Sequence, residues 1–180
     1  MGNALKLNFG CGGNVLDGWE NHDVDVDISK PLPYPDEHAT FVFAEHCVEH
    51  LTPQEALSFL VECKRILKHG GKVRIIVPCI DRVYEKATKE YLAFTQKNGW
   101  SDGTIPGAMR GLINFHGHKS VWTKDVLRCM FLSAGFYVVS IHSYDSTNTM
   151  EFENTSGHWK VIGKEFNDIE SIACEGIKCA

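Results

Sequence analysis

Apolar, strand-like stretches alternate along this chain with helix-like ones, and each is apolar through its middle. That alternation predicts an α/β fold with a mostly parallel sheet. Two details strengthen the prediction. The first strand-like stretch runs straight into the glycine-rich turn Gly10-Cys11-Gly12-Gly13, and a later stretch carries a full set of helix-boundary signals. With 180 residues, no internal repeat and no linker, residues 1–180 are expected to form one domain.

Residues 4–9, Ala-Leu-Lys-Leu-Asn-Phe, read as a buried strand. Residues 20–24 give a short second strand, and residues 41–45 another, entered through the turn-rich Pro31-Leu32-Pro33-Tyr34-Pro35-Asp36. The clearest helix spans residues 53–68. Thr52 suits its N-cap, Pro53 its first position, and Glu55 completes a capping box. Leu57, Leu60, Val61 and Leu67 mark its apolar face, Lys64, Arg65 and Lys68 its negative end, and Gly70-Gly71 its stop. Residues 72–77 are β-branched and apolar, a strand ended by Pro78, and residues 81–98 read as a charged helix. Residues 99–118, with glycines at 99, 103, 107, 111 and 117 and little periodicity, read as a long mobile loop on the substrate side. Thr123 caps a helix through Ala134, which Gly135 ends; residues 137–142 and 171–178 are the last strands.

The composition, 43% hydrophobic and 23% charged, is globular and excludes disorder and collagen. A formal charge of −5 argues against a nucleic-acid partner, which needs a basic face. The seven cysteines show no Cys-x-x-Cys spacing, so neither a disulfide framework nor a zinc ribbon is expected, and a reducing, cytoplasmic location is. No secretion signal and no membrane-length apolar run appear. Gly2 does not read as a lipidation site, because position 6 is Lys rather than Ser or Thr.

Ligands of open parallel sheets bind at the carboxyl ends of the strands, and the first such end here is the glycine turn. Glycine lets the backbone pass close to a ligand. A dinucleotide site wants a third glycine where this chain has Val15, and a full helix where only residues 14–20 separate the turn from the next strand. That disfavours NAD and an oxidoreductase. No Gly-Lys-Ser/Thr follows, so a P-loop is excluded.

Leu7-Asn8-Phe9-Gly10-Cys11-Gly12 resembles the first motif of the class I S-adenosylmethionine-dependent methyltransferases. Gly18-Trp19-Glu20-Asn21-His22-Asp23 is similar to the second-strand segment of a small, type-11-like branch. Pro31-Leu32-Pro33-Tyr34, with residues 41–51 from Phe-Val-Phe-Ala-Glu-His onward, resembles the fourth-strand motif. Residues 65–78 and Ala134-Gly135-Phe136 are similar to the segments around the fifth strand and the end of the last helix, so the resemblance runs from about residue 5 to 143. It implies a Rossmann-like three-layer sandwich with an antiparallel last strand and a reduced second/third-strand region. It also implies S-adenosylmethionine as cofactor. Asn8, Gly10, Cys11 and Gly12 would pass under the methionine and ribose portion, although Asn8 stands where many relatives carry an acidic residue. Asp23 would take the ribose hydroxyls, with Asp25 as the alternative. Asp27 and Ile28 would meet the adenine, and Glu45 and His46 the sulfonium end. The resemblance implies methyl transfer to a small-molecule or glycan-type acceptor. The N-terminal helices that cover the substrate in many relatives are not seen, which predicts an open pocket or one completed by a homo-oligomer or a partner subunit. A cofactor-binding subunit without its own catalysis is the corresponding alternative.

Other readings stay beside these. Asp23-Val24-Asp25-Val26-Asp27 alternates like a strand with one solvated acidic face, and a calcium site is conceivable. His46 and His50 flank Glu49 without forming His-Glu-x-x-His, so a zinc-protease helix is excluded. His116 and His118 show no third ligand, so no metal is expected; they are candidate general bases, as is His46, because His titrates near neutral pH. Cys79 follows the fifth strand as a nucleophile does in some RNA methyltransferases, but their second cysteine motif is absent. Asp81, Arg82 and Tyr84 follow the same strand and are expected on the substrate wall.

Overall fold

The computed structural model describes residues 4–179. The order of its elements follows from where apolar runs can pair. Strands β1 (Lys6–Phe9), β2 (Glu20–His22), β3 (Ala39–Glu45), β4 (Leu67–Pro78), β5 (Val138–Ser143) and β6 (Ser171–Ile177) form one sheet among the described residues. Its order is β2-β1-β3-β4-β6-β5. The first four strands run parallel, with Leu7 opposite both Glu20 and Val42, and Val42 opposite Val73. β6 is antiparallel to β4 and β5, setting Ile75 against Cys174, as the resemblance implied. Only three residues form β2, because the chain turns away at once: Asp25 accepts from the Asp23 amide at 2.7 Å and from His22 Nδ1 at 2.7 Å.

Helix α1 (Pro53–Ile66) begins as predicted. Thr52 accepts from the Glu55 amide at 3.3 Å while the Glu55 carboxylate accepts from the Thr52 amide at 2.8 Å, so two otherwise orphaned donors are satisfied. The helix ends at Ile66 rather than at the glycines, because Leu67 already pairs with Ala39 and residues 68–71 bulge out before Lys72 meets Phe41. Its buried stripe is Ala56, Phe59, Leu60, Cys63 and Ile66, while Val61 lies on the outside. α5 (Lys124–Ser133) adds Leu127 and Phe131 beside it. The two helices cover one sheet face, packing on Leu7, Phe9, Val42, Ala44, Val73 and Ile75. Burying a side chain such as Phe59 completely is worth roughly 2 kcal/mol.

The opposite face, with Phe41, Phe43, Ile76 and Ala173, is covered by Tyr144 and Phe152 with Trp19 and Trp159 against them. That cover comes from the connection between β5 and β6, which sequence reading left unassigned. It holds the short helices α6 (Trp159–Ile162) and α7 (Lys164–Glu170). A buried ion pair organises it. Arg74 on β4 pairs with Glu175, its neighbour on β6, and donates to the Tyr144 carbonyl at 2.7 Å.

The expected helix over residues 81–98 is two helices, α2 (Ile80–Lys86) and α3 (Lys89–Lys97), because Thr88 caps a new start by accepting from the Tyr91 amide. Residues 99–118 are not one loop, since α4 (Ile105–Asn114) occupies their centre. The glycines there are packing residues. A Cβ on Gly111 would lie 2.2 Å from the Trp100 carbonyl oxygen, and one on Gly107 1.9 Å from the Asp102 carboxylate. They let the preceding turn press against the helix. Together α2, α3, α4 and α7 bury Val83, Tyr91, Ala108 and Ile169 beyond the end of β4.

Candidate active site

The glycine turn is shaped by one tight approach. Gly10 sits at φ +65°, and a Cβ there would lie 2.5 Å from the Cys47 Cβ, so no other residue fits. The Cys11 amide donates to the His22 carbonyl at 3.0 Å and the Gly12 amide to Asp23 at 3.3 Å, which ties the turn to the end of β2. A Cβ on Gly12 or Gly13 would meet nothing within 4 Å, so this backbone faces open space. Asn8 is buried beneath the turn and spends its side chain on the Asn14 carbonyl (3.0 Å) and Asn21 (2.8 Å). It braces the turn from beneath. Asp23 is exposed, and apart from the Gly12 amide its carboxylate is free, whereas Asp25 is committed to His22 and the Asp23 amide. Asp27 accepts from Ser29, whose hydroxyl and amide hold its carboxyl below the usual range, and Ile28 packs half-buried on the main core.

At the end of β3, Glu45 takes the Ser156 hydroxyl, the Gly157 amide (2.6 Å) and the His158 amide (3.2 Å). Its carboxylate therefore anchors the β5–β6 connection over the site. Asn14 repeats the tie by donating to the Thr155 carbonyl at 2.8 Å. Between turn and connection lies a cavity of about 350 Å³, lined by Gly10, Cys11, Glu45, Gly157 and Lys160 among others.

A second cavity of about 320 Å³ adjoins it, walled by Tyr91, Trp100, Leu112 and Phe115 and by His50, His116 and His118. His46, His158 and Val161 line both. His46 sits at φ +50°, stacks on His158 with ring centres 3.8 Å apart, and donates from Nε2 to Ser171, which donates on to Asn167. Burial above all, and then the neighbouring His158, push its pKa down to about 3, so the ring is neutral. His118 donates from Nδ1 to the Leu112 carbonyl at 2.5 Å. His116, at the exposed rim beside Trp100, makes no ring hydrogen bond to a described residue. Glu49 is 1% exposed, and burial raises its carboxyl pKa.

The predicted residues thus divide. Gly10, Cys11, Glu45 and His46 reach the first cavity, and His46, His116 and His118 the second. Asp81, Arg82 and Tyr84 reach neither, which corrects the expected substrate wall. Asp81 accepts from the Lys124 amide at 2.9 Å, buried Arg82 pairs with Asp168, and Tyr84 points to solvent at 69% exposed. Residues of α3 and α4, among them Tyr91, Ala108 and Leu112, line the second cavity instead. Sequence reading also missed His158, Lys160, Tyr91 and Trp100. The run Asn154-Thr155-Ser156-Gly157-His158 is turn-rich, but nothing local says that it returns to β3.

The sequence matches the family model of a methyltransferase domain over residues 16–75. No curated protein matches it. Solved structures share the fold. A methyltransferase of Haloferax volcanii, in complex with the Trm112 methyltransferase activator, is similar with a TM-score of 0.58 at 13% identity, over 98% of this chain and 83% of that one. An S-adenosylmethionine-dependent methyltransferase from Archaeoglobus fulgidus is similar at 0.57 and 17% identity, over 98% and 87%. The methyltransferase-domain match over residues 16–75, on a fold shared with solved methyltransferases, supports a class I S-adenosylmethionine-dependent methyltransferase.

Proposed function

We propose that the chain transfers a methyl group to the oxygen or nitrogen of a small-molecule or glycan-type acceptor, with the cofactor in the glycine-turn cavity and the acceptor in the histidine cavity. The observation that carries this reading is the pair of adjoining cavities with His46, His158 and Val161 at their junction. The residues present fit the cofactor. Open backbone at Gly12 and Gly13 admits its close approach, Asp23 offers free acceptors to the ribose hydroxyls, and Lys160 offers a cation to the amino-acid carboxylate. Bound there, S-adenosylmethionine supplies a methyl group already electrophilic on its sulfonium. The chain's task is then to align the acceptor and exclude water.

His116 serves as the general base. It lines the acceptor cavity and keeps both ring nitrogens free, whereas His118 has committed Nδ1 and His46 is too weakly basic to hold a proton near pH 7. Trp100, Tyr91 and Phe115 offer the flat apolar surfaces that sugar rings and small organic acceptors stack on. The β5–β6 connection covers the site from within the chain, which favours independent catalysis over a subunit role. The test is transfer of labelled methyl from S-adenosylmethionine to hydroxylated small molecules and saccharides, with nucleic acid and protein as comparison acceptors. Label is expected in the first group, and His116→Ala should lower kcat roughly 100-fold with cofactor affinity unchanged. Label only in nucleic acid or protein would refute the acceptor assignment.

A further inference from the structure

The histidine cavity holds a cluster that the methyl-transfer reading does not use. Glu49, in the single 3-10 turn after β3, lies beside His50 of the same turn and His118 from beyond α4. One ligand atom from each lies within 4.8 Å of the other two. Among the described residues the Glu49 carboxylate has no Lys or Arg partner, and its Oε2 is buried without any hydrogen bond. Its Oε1 lies 3.4 Å from His46 Nδ1 and 4.0 Å from His118 Nε2. An isolated buried acceptor is costly, so this oxygen is built for a ligand the protein itself does not supply.

The rest of the cluster has the form of a metal centre. His118 donates from Nδ1 to the Leu112 carbonyl, which fixes the tautomer and leaves the Nε2 lone pair facing Glu49. Metal-bound histidines are oriented by this kind of outer hydrogen bond. The two segments are also pinned to each other, since the Glu49 carbonyl accepts the Lys119 amide at 2.8 Å and the Ser120 amide at 3.1 Å. The His50 ring makes no hydrogen bond to a described residue, and its edge contact with His118 has ring centres 5.1 Å apart. An ion about 2.1 Å from each donor wants donors roughly 3.4 Å from one another, a contraction of about an ångström that small rotations of the Glu49 and His50 side chains supply.

We propose that Glu49, His50 and His118 bind a divalent transition-metal ion on the wall of the histidine cavity. Two imidazoles and one carboxylate on one side of an ion leave its remaining positions open to the cavity, a set suited to zinc, iron(II) or manganese. Sequence reading found no third ligand for His116 and His118, because Glu49 lies 69 positions from His118 and only the fold brings them together. The catalytic consequence rests on the proposed methyl transfer. An acceptor hydroxyl bound at an open position becomes more acidic, its proton passes to His116, and the oxygen keeps the lone pair that attacks. The binding itself needs no such reading.

The test uses chelator-treated full-length chain titrated with Zn(II) by calorimetry and with Co(II) by visible absorption. The expected result is one equivalent per chain with a ligand-field Co(II) band. Affinity should fall at least tenfold in Glu49→Gln and in His118→Ala and stay unchanged in His69→Ala, a surface histidine outside the cluster. His50→Ala removes a half-exposed ligand and gives the same readout should either buried variant fail to fold. Absence of stoichiometric binding, or binding that survives all three substitutions, overturns the proposal. S-adenosylhomocysteine is titrated in parallel. S-adenosylhomocysteine binding without metal binding removes the metal and leaves the methyl-transfer reading, and metal binding alone does the reverse.

Discussion

Gly10 carries the strictest single-residue requirement in the site. Its φ of +65° costs a non-glycine residue about 1–2 kcal/mol, and the Cys47 Cβ stands where its own would go. Gly10→Ala is therefore expected to move the turn and abolish S-adenosylhomocysteine binding while the circular dichroism spectrum stays wild-type. Asp23→Ala removes the free carboxylate at the end of β2 and should weaken the same binding at least tenfold, since each hydrogen bond to a charged group is worth about 1.5–3 kcal/mol. Asp25→Ala should instead lower stability, because that carboxylate holds His22 and the β2 turn. Isothermal titration with the two variants separates the roles. The sequence was informative where geometry is local: the tight glycine turn, with Gly10 at φ +65°, could be read from its own residues. What the sequence did not show is the structural use of Asn8 and Glu45. Their partners, Asn21 and residues 156–158, show that both brace the backbone.

Among the elements, α1 shows how boundary chemistry and charge are linked. Arg65 near its end donates to the Tyr34 carbonyl (2.8 Å), the Leu32 carbonyl (3.1 Å) and Asp36 (2.8 Å), clamping the proline-rich turn before β3. Glu62 completes the clamp by accepting from Arg65 and from the Leu32 amide at 2.8 Å. The Arg65 hydrogen bond holds the Glu62 carboxyl below its ordinary value. A depressed carboxyl stabilises the fold above its unfolded-state pKa, and that contribution is lost as pH falls through the folded-state one. Melting temperature should therefore fall on acidification below about pH 5, and less steeply in Glu62→Gln, as thermal unfolding across pH 3–7 would show. The capping box of α1 and the cap of α5 were legible because their donors and acceptors lie three residues apart. α4 was not, because Gly107 and Gly111 signal a loop unless one knows that the Trp100–Asp102 turn packs against them.

For the whole molecule, the β5–β6 connection is the feature that converts a sheet edge into a covered site. Arg74 and Glu175 hold it from inside the sheet, with Thr149 and His142 near the second carboxylate oxygen at 3.4 Å and 3.9 Å. Removing one partner leaves an uncompensated buried charge. Arg74→Ala is expected to cost about 3–5 kcal/mol, or roughly 6–20 °C in melting temperature for a chain of this length, and Arg74→Met/Glu175→Leu to recover most of it. Calorimetric melting of the three proteins decides this. The mostly parallel sheet followed from apolar alternation, and the antiparallel last strand from the family resemblance. The cover did not, because residues 144–170 carry no strong periodicity and their docking depends on contacts with Glu45 and Asn14 more than a hundred residues away.

Ligand-dependent thermal unfolding tests for a cofactor site at the glycine turn. S-adenosylhomocysteine at about 100 times its dissociation constant should add roughly 2.7 kcal/mol, a rise of about 5–11 °C, in the wild-type chain but not in Gly10→Ala, with NAD giving no rise. Folded wild-type protein whose melting temperature does not move with S-adenosylhomocysteine, or moves equally with NAD, would mean that the glycine turn holds no S-adenosylmethionine site.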